Sequence, residues 1–137
     1  MQITRQADYA VRAIYFLSGL DEGVRASTSQ IAKEQNIPPS FLAKIISQLS
    51  VAGLLNTSRG ARGGVSLAKE PKEITMLDVI EAIDGPIKLN QCVNASHGCK
   101  FDKECPMKVM WGEIQDDLVS RLGGSNFEDF VNASPIG

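Results

Sequence analysis

A mainly α fold with one two-stranded hairpin is what this sequence predicts, on three observations. Apolar residues recur at helical spacing, beginning with Ala10, Ala13, Ile14, Leu17 and Leu20. Two short helix signals, Ser27-Thr28-Ser29-Gln30 and Pro38-Pro39, flank a tight Asn36-Ile37 turn. Beyond them, Arg59-Gly60-Ala61-Arg62-Gly63-Gly64 separates two apolar runs, as the tip of a hairpin does. Two short helices, a turn and a hairpin make the winged helix-turn-helix plan, with a two-stranded wing and a long C-terminal helix. A helical hairpin with one solvated face also fits the helix spacing, and the arginines in the glycine tip are what favour the winged plan.

The elements follow in order. Thr4 to about Leu20 reads as an amphipathic helix with Thr4 as its N-cap. Ser27 to Gln30 forms a capping box opening a helix of about eight residues through Gln35. Pro38-Pro39 sets the entry of a third helix, which runs to Gly53 and buries Leu42, Ile45, Ile46 and Leu49. Ser40, Ala43, Lys44 and Ser47 then face the other way. Leu54-Leu55 and Val65-Ser66-Leu67 are read as the wing strands. Thr75 caps a helix from Met76 to about Asp84, with Asp78 placed for the reciprocal half of the cap. Residues 87–104 lack periodicity. Pro106 opens a long helix striped by Met107, Met110, Trp111, Ile114, Leu118 and Leu122 and stopped by Gly123-Gly124. Ser125-Asn126-Phe127-Glu128 reads as a further capping box before a last short helix.

With 137 residues, 43% of them hydrophobic, the composition is that of a globular chain. The N-terminal residues show no signal-peptide pattern, and no apolar stretch is long enough for a bilayer, so a cytoplasmic protein without membrane partners is expected. The net charge of −2 conceals an asymmetry. Residues 1–70 carry 8 Lys+Arg and 5 Asp+Glu, a balance of +3, whereas residues 71–137 carry 6 and 11, a balance of −5. A basic DNA-reading half joined to an acidic partner-binding half fits this division.

The second helix of such a unit enters the major groove by its N-terminal end. Ser40 and Lys44 can there reach phosphates or base edges, and Phe41 can either pack or touch a thymine methyl. Thr28, at the start of the preceding helix, joins them as a contact candidate. In the wing, Gly60 and its neighbouring glycines let the backbone approach another surface, and Arg59 and Arg62 present guanidinium groups suited to a narrow minor groove.

Cys92, Cys99 and Cys105 are the only cysteines, and they crowd into the aperiodic segment. They lack the CxxC pairs of zinc ribbons. Widely spaced thiolates in a loop favour an iron–sulfur cluster, with one iron left for another group; three incidental cysteines are the alternative. His97, the only histidine, is either a fourth ligand or a loop histidine. No nucleophile–base pair is found, so an enzyme is not expected.

Tyr9-Ala10-Val11-Arg12, Ser40-Phe41-Leu42, Ser58-Arg59-Gly60 with Gly63-Gly64, Asp78-Val79-Ile80 and the three cysteines stand in the order seen in the IscR/NsrR family of bacterial winged-helix regulators, which the chain resembles over nearly its whole length. The resemblance implies a homodimer joined through the long helix, and a cluster on Cys92, Cys99 and Cys105, with 4Fe–4S preferred to 2Fe–2S. It implies transcriptional control in response to iron–sulfur, redox or nitric oxide status, through a pseudo-palindromic double-stranded operator. Lys108 stands where IscR-like members carry a histidine ligand, and Asp8 matches an acidic ligand that NsrR-like members supply from the partner subunit. Asp8 also reads as a first-turn carboxylate favoured by the helix dipole. Ala43 stands where IscR has an acidic residue. On this reading residues 1–70 are the winged-helix DNA-binding head, and residues 71–137 hold the cluster-binding loop and dimerisation helices. The rivals are a zinc- or thiol-based winged-helix regulator without a cluster, and a cluster carrier or electron-transfer protein, in which the arginine wing would have no role.

Overall fold

The computed structural model describes residues 2–61, 63–89 and 106–133. In chain order come α1 (Arg5–Ser18), α2 (Thr28–Gln35), α3 (Pro39–Val51), β1 (Leu55–Ser58), β2 (Gly64–Leu67), α4 (Met76–Asp84), α5 (Pro106–Gly123) and α6 (Phe127–Asn132). A 3-10 turn at Pro71–Glu73, which the sequence reading did not anticipate, precedes α4. This is the mainly α, winged helix-turn-helix architecture.

Local chemistry sets the element boundaries. Thr4 Oγ1 accepts from Ala7 N at 3.1 Å and so caps α1. Ser27 Oγ accepts from Gln30 N at 3.0 Å and caps α2. Asn36, with φ 53°, ends α2 in the left-handed region that Asn tolerates, and the turn into α3 follows. α3 closes in a Schellman motif: Leu54 N donates to Leu49 O at 2.9 Å and Gly53 N to Ser50 O at 3.0 Å. Gly53 supplies the required φ of 81°. Leu54, read from the sequence as a strand residue, gives its N–H to this cap while its carbonyl accepts from Ala68 N at 2.9 Å just past β2, and β1 itself starts one residue later.

β1 and β2 pair antiparallel, with Leu55 opposite Leu67 and Ser58 opposite Gly64. Ala26 exchanges both backbone hydrogen bonds with Val65, at 3.0 and 2.7 Å. The wing is thereby bridged to the segment leading into α2. Both halves of the capping box at Thr75 and Asp78 are formed at α4. In place of the box expected at Ser125 there is a single N-cap bond one residue on. Asn126 is the N-cap of α6, its Oδ1 accepting from Asp129 N at 2.9 Å, while Ser125 Oγ donates to Arg121 O and so finishes α5.

The core joins Ala10, Ala13, Ile14 and Leu17 of α1 to Ile31 of α2 and Leu42, Ile45 and Leu49 of α3. Val65, Ile74, Val79 and Phe127 belong to the same cluster. Phe127 is fully buried and meets Phe130 edge-on at 5.6 Å, so α6 returns the chain to the head after α5. Met76 N to Ser125 O at 2.8 Å and Phe127 N to Ile74 O at 3.1 Å tie this return down. α5 differs: it packs along α4 but buries none of its residues fully. Met107, Met110 and Ile114 of the expected stripe are 61%, 45% and 43% exposed, and Val109 beside them is 62% exposed. No helix among the described residues is long and apolar enough to cross a membrane.

Candidate nucleic-acid interface

On α3 the stripe of Leu42, Ile45, Ile46 and Leu49 faces inward, and that leaves Ser40, Phe41, Ala43, Lys44 and Ser47 at the surface. Thr28 is exposed at the first turn of α2. Thr28, Ser29, Lys33, Pro39 and Ala43 rim a cleft of about 410 Å³ between α2 and α3. Both helices present their N-terminal ends around it, and no acidic residue lines it.

At the wing, Arg59 and Gly60 are exposed, and Arg62 lies outside the described residues. A Cβ on Gly63 would sit 2.3 Å from Ser58 O, and one on Gly64 would sit 2.9 Å from Ala26 O. A side chain at Gly63 would collide with the end of β1 and one at Gly64 with the segment at Ala26, so the glycines keep the hairpin thin and attached to Ala26.

Phe41 both packs and remains partly open. Its ring lies 5.9 Å from that of Tyr9, tilted by 57°, while 39% of the residue stays exposed. Arg12 lies over the Tyr9 ring at 5.6 Å and pairs with Asp8 Oδ2 at 2.7 Å. Asp8 is therefore linked through Arg12 and Tyr9 to the first turn of α3. Sequence reasoning missed this chain. Its signal was the i,i+4 spacing of Asp8 and Arg12 and the i,i+3 spacing of Tyr9 and Arg12 on one helix face.

Cys92, Cys99, Cys105 and His97 lie outside the described residues. The flanks of their segment are defined. Leu89 N donates to Gln115 Oε1 on α5 at 3.0 Å, and α5 begins at Pro106, the residue after Cys105. The C-terminal end of α4, ahead of that flank, is tied to the N-cap of α1, because Thr4 Oγ1 donates to Asp84 Oδ1 at 2.7 Å. Asp8 stays accessible beside Arg12. Its side chain is 49% exposed, and leaving a half-exposed i,i+4 ion pair costs only about 0.3–0.5 kcal/mol.

Comparison with known proteins agrees with this geometry. A protein of Aquifex aeolicus described as an HTH-type transcriptional regulator is 34% identical over 126 residues, covering 90% of this chain and 87% of its own. Protein aau3 of Rhizobium meliloti is 29% identical over 136 residues, covering 98% and 88%. Among solved structures, CymR, the global cysteine regulator of B. subtilis, superposes with a TM-score of 0.82 at 27% identity, over 98% of this chain and 99% of that one. IscR of T. potens shares the fold, with a TM-score of 0.78 at 23% identity over 100% and 94%. The Rrf2 family profile, that of an iron-dependent transcriptional regulator, matches residues 3–133. With a winged helix-turn-helix, an arginine-bearing wing and this match over nearly its whole length, the chain belongs to the Rrf2 family of transcriptional regulators.

Proposed function

We propose that this protein is a homodimeric cytoplasmic regulator whose operator affinity is set by an iron–sulfur cluster on Cys92, Cys99 and Cys105. The observation that carries this reading is the three-thiol segment in a chain of an iron-dependent regulator family. The cluster, 4Fe–4S in preference to 2Fe–2S, supplies a reactive iron whose state responds to iron supply, redox poise or nitric oxide. Asp8 of the partner subunit completes the ligand set. Residues 1–70 read DNA, and residues 71–137 sense and pair. Thr28, Ser40, Phe41 and Lys44 contact the major groove, with Arg59, Gly60 and Arg62 at the minor groove. The exposed Met107, Met110 and Ile114 stripe supports pairing of α5 with its symmetry mate, since so apolar a face is otherwise left in water. Two-fold pairing makes the operator pseudo-palindromic.

The chain from Asp8 through Arg12 and Tyr9 to Phe41 contributes part of the coupling. When Asp8 is engaged elsewhere, Arg12 loses its partner, and the aromatic contact beneath α3 is rebalanced. A useful switch needs a coupling of ~1–3 kcal/mol. Anaerobic purification with iron and sulfide assays, then operator binding by the loaded and stripped protein, tests the reading. Colourless protein with zinc or free thiols, binding DNA equally well, would overturn it. The second reading, a zinc- or thiol-based regulator without a cluster, draws support from the likeness to the cysteine regulator of B. subtilis.

A further inference from the structure

We propose that α3 reads thymine C5-methyl groups through Phe41 and Ala43, so that each operator half-site carries T·A pairs beneath the N-terminal turns of that helix. The inference rests on the DNA-reading role above and deepens it. Between Pro39 and Val51, the exposed residues at its two ends, the outward residues of α3 are Ser40, Phe41, Ala43, Lys44 and Ser47. None is a carboxylate that could accept from cytosine N4, and none is an amide that could pair bidentately with adenine. Gln48, the one amide on the helix, has its Oε1 buried. Hydroxyls accept either base, and the Lys44 ammonium serves a guanine or a phosphate. What remains is apolar contact, and in the major groove that selects thymine, whose methyl is the apolar feature of the base edges.

The surface is shaped for such a contact. Pro39 and Ala43 wall the 410 Å³ cleft, and Ala32, Ile37 and Leu42, all buried, form its floor. A longer side chain at position 43 would cover this opening, whereas the alanine leaves it accessible. Phe41 is backed by Tyr9, so its exposed edge is presented at a fixed height and loses little rotamer freedom on contact. Lys33 lines the same cleft and Lys44 follows Ala43 directly, so the apolar spot is bracketed by cations and suits a base edge framed by phosphates.

The test uses the full-length protein and a random duplex pool. After enrichment, each thymine of the selected half-site is replaced by deoxyuridine, which removes only the methyl. One or two positions should then bind about fourfold more weakly, the factor expected for ~0.8 kcal/mol per buried CH₂-sized group. Ala43→Gly should remove the thymine-over-uracil preference at one of them while retaining binding. Ala43→Glu should shift the preferred base there to cytosine, whose N4 donates to a carboxylate. Enrichment of a site with no uracil-sensitive position, or a preference unchanged in Ala43→Gly and in Phe41→Ala, would overturn methyl reading alone. A pool that yields no enriched sequence would overturn the DNA-reading role beneath it.

Discussion

Replacing Tyr9 with leucine should weaken operator binding without unfolding the head, and the structure sets the size of the effect. Three contacts run from Asp8 to Phe41. The Asp8–Arg12 ion pair joins side chains that are 49% and 44% exposed, and such i,i+4 pairs contribute ~0.3–0.5 kcal/mol. Arg12 over the Tyr9 ring at 5.6 Å adds about 0.5–1 kcal/mol at an exposed site. The tilted Tyr9–Phe41 contact at 5.9 Å is worth ~0.5–1.5 kcal/mol beyond the area it buries. The last link can be the largest, and it alone touches the recognition helix. If it holds Phe41 in its DNA-ready position, its loss should raise Kd roughly two- to tenfold. The assay is a double-mutant cycle of Tyr9→Leu and Phe41→Leu, read by fluorescence anisotropy on one operator at fixed salt, with urea unfolding in parallel. A coupling of about 0.5–1.5 kcal/mol is expected in both readouts. Losses additive to within ~0.3 kcal/mol would refute the argument, because rings that cooperate cannot be removed independently.

Arg59→Ala, or Arg62→Ala, should weaken binding to every duplex and reduce the salt slope of log K by about 0.9, as removal of one phosphate-neutralising charge does; an unchanged slope would take the wing out of the interface. Ile114→Glu places a carboxylate on the exposed face of α5, where Ile114 is 43% exposed, and should give a folded monomer that no longer binds the operator. Sedimentation as a dimer would locate the pairing surface elsewhere. Phe127→Ala should destabilise the head by ~3–5 kcal/mol, since the ring is fully buried, and a smaller loss in urea titration would mean that α6 contributes little to the core. Substituting any one of Cys92, Cys99 or Cys105 with alanine should abolish a brown, cluster-bearing protein, Asp8→Ala should leave a more labile one, and His97→Ala should retain the cluster. Loss of the cluster in His97→Ala, with Asp8→Ala matching wild type, would exclude the cross-subunit carboxylate.

Much of this molecule is determined within windows of four or five residues, and there the sequence sufficed. Thr4, Ser27 and Thr75 cap their helices because a side-chain oxygen reaches an amide three positions on, whatever the rest of the fold does. The start of α4 at Met76 follows from the same local chemistry, and α5 opens at Pro106, whose ring pre-sets φ for a first helical turn. Even the errors are local competitions. Leu54 gives its N–H to the Schellman cap, and Asn126 rather than Ser125 caps α6, while the Ser125 hydroxyl donates to Arg121 O. Two apolar runs around a glycine tip also announced the wing.

Contacts between residues far apart in the chain are what only the tertiary structure decided. Thr4 meets Asp84, Ala26 bridges Val65, Phe127 enters the core of the head, and Tyr9 backs Phe41. Periodicity identifies the buried face of a helix but not the partner that buries it, so Phe127 could be read as helical without being read as core. The same limit governs the candidate site. Ser40, Phe41, Lys44 and Arg59 were legible because their exposure follows from position on a helix or hairpin. The cleft at Ala43 and the path from Asp8 to Phe41 were not, since both exist only where α1, α2 and α3 converge, and convergence is set by three-dimensional packing of apolar faces, which carries no local signature.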